Sequence, residues 1–478
     1  MRATLVEGGE GQALAHGGVW RSWSWLAETA TAVDRALGDQ AHAIGLVARN
    51  RPAHVAAFAC ALMSGRTTAM IYSAQSATGL AEDIRRLRLP AIVADRQDWS
   101  EPVLQAAREV GSAAVQVSHD AAGAAVDVLA PARPGGLCDP TPRVALEILS
   151  SGTTGAPKRI PLSWAAVSSA VESARSTYAG TAATSAPQVM VHPLGNVAGL
   201  AYVTPPLAYG QRLVLLEKFE PWAWAEAVRD YRPARGALPP AGVRMVLDAD
   251  IPTEWLSSLS LLAVGGGKLD VDLHEAFEAR FGIPILTAFG ATEFGGVVAN
   301  WSLDAYRQWG TAKRGSAGRA SVGVALRIVD AASLAPLPAE DIGLLEAKVD
   351  RIGPDWIRTN DLGWLDADGF LFLSGRADGA INRGGFKVVP EMVANVLKSH
   401  EAIADAAVVG VPDARLGEVP AAAAELRKGR SLDPEVLRAW LRDRLVAYQV
   451  PQQIRIVEAL PRNASMKISL PQVRALFA

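Results

Sequence analysis

Residues 149–158 concentrate groups that would hold a polyphosphate. The run reads Leu149, Ser150, Ser151, Gly152, Thr153, Thr154, Gly155, Ala156, Pro157, Lys158, directly after an apolar strand. Gly152 and Gly155 allow a tight turn on which backbone N–H groups converge, the hydroxyls add donors, and Lys158 supplies a cation. Pro157 and Arg159 flank that lysine, so the loop is not a Walker A motif, which needs Gly before the lysine and Ser or Thr after it. A solvated Ser/Thr/Gly linker is the plainer reading of such a cluster taken alone. Further along, Gly265, Gly266 and Gly267 follow a short apolar run. Missing side chains there let a nucleotide or acyl group approach the backbone. A dinucleotide fingerprint would need a further glycine that is absent. His192 ends another apolar run and reads as structural. Neither H-E-x-x-H nor G-x-S-x-G occurs, which sets aside zincin and serine-hydrolase chemistry.

The loop resembles the phosphate-loop signature of the adenylate-forming superfamily, which includes acyl-CoA synthetases, peptide-synthetase adenylation domains and luciferases. The other signatures of that superfamily follow in order. Phe289, Gly290, Ala291, Thr292 and Glu293 resemble its aromatic-Gly-x-Thr-Glu motif, and Thr359, Asn360 and Asp361 its Thr-Gly-Asp motif. Gly375, Arg376, Ala377 and Asp378 resemble its hinge, and residues 381–388 the glycine turn opening its small domain. Residues 461–468, with Lys467, are similar to the terminal Pro-Arg-x-x-x-Gly-Lys segment. The likeness spans essentially the whole chain, from residues 45–50 onward. It has departures: Met466 and Asn360 stand where the family usually has Gly, Lys268 where Pro is common, and Asn196 where a His is frequent.

The resemblance implies a two-step reaction. A carboxylate attacks the α-phosphorus of ATP, pyrophosphate leaves, and the acyl-AMP passes its acyl group to a nucleophile, most often the thiol of coenzyme A. Charge crowds onto the phosphoryl groups, so preorganised donors and cations should dominate. On this reading Thr153, Thr154 and Lys158 clasp the β- and γ-phosphates, Ser150, Ser151, Gly152 and Gly155 complete the ATP-binding loop, and Thr292 meets the α-phosphate. Glu293 holds Mg2+, a hard cation that takes carboxylate and phosphate oxygens. Asp361 binds the ribose hydroxyls with help from Arg376. Phe289 stacks on adenine, with Gly265, Gly266, Gly267, Gly290 and Ala291 beside the nucleotide. Lys467 bridges carboxylate and α-phosphate, and Lys387 joins the nucleotide contacts. Taken singly, Glu293 reads as a surface carboxylate and Phe289 as a core aromatic. The acyl pocket is expected from Asn196, Gly199, Tyr202, Gly267, Ala288 and Gly295, with Phe294 and Trp301 as further lining. Glycines at 199, 267, 290, 295 and 296 suggest room for an aromatic or other bulky acid. Coenzyme A is expected at Arg383, Gly384, Gly385 and Phe386, and Asp378 is the expected pivot. The segment at 409–420 looks like one common in CoA ligases. The alternatives are an adenylating enzyme that loads a carrier protein or forms an amide, and a non-catalytic nucleotide-binding regulator.

These residues need a scaffold, and the hydropathy pattern supplies one. Short apolar β-rich runs at 43–48, 67–72, 91–94 and 113–117 alternate with stretches of helical period at 52–63 and 81–87. The pattern resumes after Pro142 with strands at 144–149, 189–192 and 261–264 and a helix at 164–178. This predicts α/β architecture, largely parallel, with the Pro/Gly-rich span 131–142 linking two sheets of one large domain. From Ser321 the period turns to β, including a hairpin at Asp368 and Gly369. Beyond Asp378 a compact α+β block shows helices at 390–399 and 434–445 and strands at 406–411, 421–426 and 454–457. The expected organisation is a large multi-sheet α/β domain over 1–377 and a small α+β C-terminal lid over 378–478.

Composition agrees with this reading and excludes others. In 478 residues, 47 Lys and Arg nearly cancel 49 Asp and Glu, so there is no basic excess of the kind that meets nucleic acid or an anionic membrane. Cys60 and Cys138 are the only cysteines, too few for a disulfide framework or a cysteine-rich metal site. No apolar stretch suits a secretory leader or a membrane span. A cytoplasmic enzyme is expected, monomeric or homodimeric, whose partners are a carboxylic acid, ATP and coenzyme A.

Overall fold

The computed structural model describes residues 1–120, 123–133, 144–149, 159–175, 185–377, 379–383, 386–413, 416–463 and 466–478. Its largest sheet has seven strands in the order Gly123–Ala130, Ala113–Asp120, Ala91–Asp95, Ala43–Ala48, Thr67–Tyr72, Val144–Leu149, Arg159–Ser163. The inner pairs are parallel and both edge pairs antiparallel. Strand Ala43–Ala48 is buried throughout its length, which is why it reads as an unbroken apolar run: parallel strands are covered by helices on both faces. Helices Trp23–Leu37 and Pro52–Ser64 pack on one face, and Ala77–Leu87 and Glu101–Val110 on the other.

The strands expected at 43–48, 67–72, 144–149 and 261–264 form over those same residues. The span 131–142 does not join two sheets. The strands on either side of it, Gly123–Ala130 and Val144–Leu149, lie in this one sheet, the former at its edge and the latter across its centre. Local composition marks the break in periodicity, but sheet membership is decided by long-range pairing.

Among the described residues the large domain has three further sheets. One joins Gln188–Met190, Leu213–Leu215, Gln12–His16 and Val19–Ser22. The second runs Arg235–Leu238, Leu261–Val264, Ile285–Ala291, Gly296–Asn300, Arg319–Ala320, parallel for its first three strands and antiparallel thereafter. The third is an antiparallel set, Val324–Val329, Gly343–Val349, Trp356–Leu365 and Leu371–Arg376. Its last turn is set by the Asp366 carboxylate, which accepts from the Asp368 and Phe370 N–H groups, with Gly369 at φ 79°.

The smaller C-terminal domain is a sheet of Phe386–Val388, Ile381–Arg383, Gly417–Leu426 and Ile403–Asp413, with Gln453–Val457 added parallel to Gly417–Leu426. Alternation along strand Ile403–Asp413 splits its side chains between two cores. Ala406 and Val408 pack under helices Pro390–Lys398 and Pro434–Arg442, while Ala407, Val409 and Val411 pack with Val473 of the last helix. Among the described residues no helix is long and apolar enough to cross a membrane.

Candidate active site

Strand Leu261–Val264 ends in the glycine run, and Gly266 takes φ 83°, a left-handed conformation that glycine adopts without strain. A Cβ at Gly265 would lie 3.4 Å from the Ala288 carbonyl on the neighbouring strand. A Cβ at Gly266 would stand 3.9 Å from Cε of Lys467. The lysine of the last segment therefore reaches the first wall of the site.

The second wall is strand Ile285–Ala291 and the 3-10 turn Thr292–Phe294 that follows it. Gly290 is required by crowding, because a Cβ there would come within 2.4 Å of the Gly296 carbonyl at a shift in strand register. Thr292 is buried and Glu293 exposed. Phe289 is half-buried and meets Phe294 edge-on, with ring centres 6.3 Å apart. The turn is held from outside by Arg351, whose Nε donates to the Phe294 carbonyl (3.1 Å) and Nη2 to the Val297 carbonyl (2.8 Å). Nothing in the sequence pattern singled out that arginine.

The third wall comes from the hairpin Trp356–Leu365 and Leu371–Arg376. Asp361 and Arg376 face each other in strand register, and Arg376 Nη1 donates to Asp361 Oδ1 at 3.5 Å. The Thr359 hydroxyl accepts the Asp361 N–H (3.1 Å) and donates to the Leu345 carbonyl (3.2 Å), fixing the backbone that carries the carboxylate.

Lys467 arrives on a closed loop. Its N–H donates to Asn463 Oδ1 (3.0 Å), while the Asn463 N–H donates to the Lys467 carbonyl (2.8 Å). Met466 sits at φ 59°, so the chain makes a left-handed turn here without glycine. Arg462 donates to the Met466 carbonyl (3.2 Å) and pairs with Asp405 (2.5 Å). Burial pushes the Lys467 ammonium below the usual lysine range, Asp361 and Glu293 pull it back up, and Arg376 pushes it down. The ammonium thus stands in the field of both carboxylates and the guanidinium.

On the side expected to take the acid, the Asn196 side chain caps helix Val197–Tyr209, accepting the Gly199 N–H at 2.7 Å. Gly199 is there because a Cβ would overlap the Pro193 carbonyl at 1.9 Å. Tyr202 stacks on His192, with ring centres 4.8 Å apart and planes 15° off parallel. Burial pushes the His192 imidazole down to about 4, leaving it neutral near pH 7. Asn50, buried in the motif at 45–50, ties this region together, donating to the carbonyls of His192 and Leu216 and accepting from the Leu194 N–H.

Two parts of the sequence reading are corrected here. Phe294 is fully buried, and Trp301 is 7% exposed with its Nε1 donating to the Ser316 carbonyl. Both are packed in core clusters. The glycine argument for a roomy pocket also weakens, since Gly199 and Gly290 are explained by backbone crowding, and Gly295 and Gly296 by φ of 63° and 138°. A Cβ at Gly267 would only touch the Pro240 ring, at 3.6 Å.

Residues 150–158, including Ser150, Ser151, Gly152, Thr153, Thr154, Gly155 and Lys158, lie outside the described residues, as do Asp378, Gly384 and Gly385. Phe386 and Lys387 are described only as backbone of strand Phe386–Val388. Arg383 donates to the Ala447 carbonyl at 3.0 Å. Among the described residues no group of three or more His, Cys, Asp or Glu could hold a metal ion.

Comparison with known proteins agrees with this geometry. A 2-succinylbenzoate–CoA ligase of Geobacillus kaustophilus (strain HTA426) is 31% identical over 70% of this chain and 69% of its own length. Among solved structures, ATP-bound MatB from Rhodopseudomonas palustris superposes with a TM-score of 0.83 at 21% identity, over 99% of this chain and 98% of that one. The apo form of MatB gives 0.70 over the same shares. The amide bond synthetase McbA from Marinactinospora thermotolerans gives 0.81 at 24% identity, over 99% of each chain. Residues 4–348 match the AMP-binding enzyme family and residues 392–467 the AMP-binding enzyme C-terminal domain, and the chain belongs to this adenylate-forming family.

Proposed function

We propose that the protein joins a carboxylic acid to coenzyme A through an acyl-AMP intermediate. A carboxylate oxygen attacks the α-phosphorus of ATP, and pyrophosphate departs with the electron pair of the broken P–O bond. The coenzyme A thiolate then attacks the acyl carbon and AMP leaves. The observation that carries this reading is Lys467, standing over Gly266 in the field of Glu293, Asp361 and Arg376. A cation at that point neutralises the charge that builds between the incoming carboxylate and the α-phosphate. The higher likeness to ATP-bound than to apo MatB supports an arrangement suited to this first step.

The remaining roles follow the same logic. Asp361 takes the ribose hydroxyls with Arg376 assisting, Thr292 meets the α-phosphate, and Phe289 with Gly290 and Ala291 borders the adenine. The loop at 150–158 clasps the terminal phosphates. Glu293 would hold Mg2+, which supplies charge neutralisation at the phosphates when bound. Residues 1–377 form the nucleotide-binding domain, and 378–478 turn about Asp378 to bring Arg383, Gly384, Gly385 and Phe386 to coenzyme A for the second step.

The acid is aromatic or otherwise bulky and lies against Gly267, Ala288 and Tyr202. The support is the half-buried Tyr202 ring and the relative named for 2-succinylbenzoate. The test is a carboxylate panel assayed for pyrophosphate release, with and without coenzyme A. Response to aromatic acids with thioester formation is expected. Response to acetate or propionate alone would overturn the bulky acid, and pyrophosphate release without thioester would overturn coenzyme A as acceptor.

A further inference from the structure

The two domains meet at a second place, away from Lys467. Lys398, at the last turn of helix Pro390–Lys398, donates to Asp270 Oδ1 at 2.8 Å. Asp270 is the N-cap residue of helix Val271–Phe281, yet its side chain makes no capping bond to that helix. A capping aspartate ordinarily turns its carboxylate onto the first N–H groups of its own helix. Here it faces across the domain boundary, with both partners only about a quarter exposed or less. The surroundings on the large-domain side mix acids with cations, so the attraction is local to this pair. The large domain contributes a second acid, Asp248, which feels Arg427 of the small domain, and Arg244 stands 4.0 Å from Asp270. Lys268, just after the glycine run, feels both Asp270 and Lys398.

We propose that Asp270 and Lys398 form an electrostatic latch that holds the small domain in the orientation that seats Lys467, and that this latch opens before thioester formation. They are positioning residues, acting through Lys467 rather than on substrate, and the proposal rests on the two-step reading above. A partly exposed ion pair has the right strength for such a part: strong enough to bias two orientations, weak enough to release. Removing it should shift the orientational equilibrium by roughly 1.5-fold to fivefold.

The test reads orientation directly. Spin labels are placed by Val322→Cys and Val436→Cys, positions that are 99% and 59% exposed on the two domains, in a Cys60→Ser, Cys138→Ser background. Inter-domain distances are then measured with ATP present. One dominant distance is expected with the native pair. Lys398→Met, Asp270→Asn or about 0.5 M salt should raise a second population by that factor, and Lys398→Arg should restore the first. In parallel, pyrophosphate release before coenzyme A addition should slow in proportion to the fraction of the first orientation that is lost, while transfer from preformed acyl-AMP is unchanged. An unaltered distance distribution in Lys398→Met and Asp270→Asn overturns the latch. A shifted distribution together with an undiminished pyrophosphate burst in Lys467→Ala would leave the latch standing and remove the role given to Lys467.

Discussion

On the large-domain side of the proposed nucleotide site, the described groups are fixed by backbone pairing and by one arginine. Asp361 and Arg376 face each other in strand register, Gly265 lies against Ala288, and the turn carrying Thr292 and Glu293 is tied down by Arg351. On the small-domain side, Lys467 rides on a loop closed by Asn463 and propped by Arg462 on Asp405, and reaches the site across a domain boundary. On the proposed reading the first wall stays in place and Lys467 is brought to it. A single active site can then serve two reactions, because the group needed only in the first can leave.

That contrast makes ordered predictions. The largest effect belongs to the group brought from outside: Lys467→Ala should slow overall thioester synthesis by about 100- to 1,000-fold with little change in melting temperature. Next comes the anchoring of the fixed wall. Glu278 accepts from His274, Tyr306, Arg314 and the Ile285 N–H at the start of the strand that carries Phe289, and these bonds hold its carboxyl at about 2. A carboxylate whose folded pKa is depressed contributes stability present above its ordinary 4.5 and lost as pH falls toward about 2. The contribution is at most about 3 kcal/mol. Melting temperature against pH should lose that slope in Glu278→Gln.

Asp361→Ala should raise the KM for ATP by about 30-fold while leaving the fold intact, since it removes charged hydrogen bonds to a bound nucleotide. The smallest effect is expected at the lid loop. Met466→Val places a β-branched residue in a left-handed turn and should cost about 1–2 kcal/mol of local stability. It should slow pyrophosphate release more than transfer from acyl-AMP.

Much of this was legible in the sequence, for reasons that differ by region. Strands at 43–48, 67–72 and 144–149 are apolar runs bounded by turn residues, so their limits could be read directly. The sheet that Gln12–His16 joins was not legible. Its strands are three to five residues long and come from distant parts of the chain, and no local period records such pairing. The placing of 131–142 between sheets failed for the same reason. At the site, ordered motifs pointed to Asp361, Arg376 and Lys467, which the fold brings to one place. The glycines were harder: Gly199 and Gly290 look like open space in a sequence and are close backbone approaches in the structure. Arg351 escaped notice because it acts by bonding to carbonyls, which any sequence supplies.

The central claim is that Lys467 serves one half-reaction only. The direct measurement is a single-turnover comparison of Lys467→Ala with the native protein, following pyrophosphate release from acid and ATP, and separately thioester formation from prepared acyl-AMP and coenzyme A. The first should fall by at least about 100-fold while the second stays within about twofold. Equal loss in both half-reactions would contradict it.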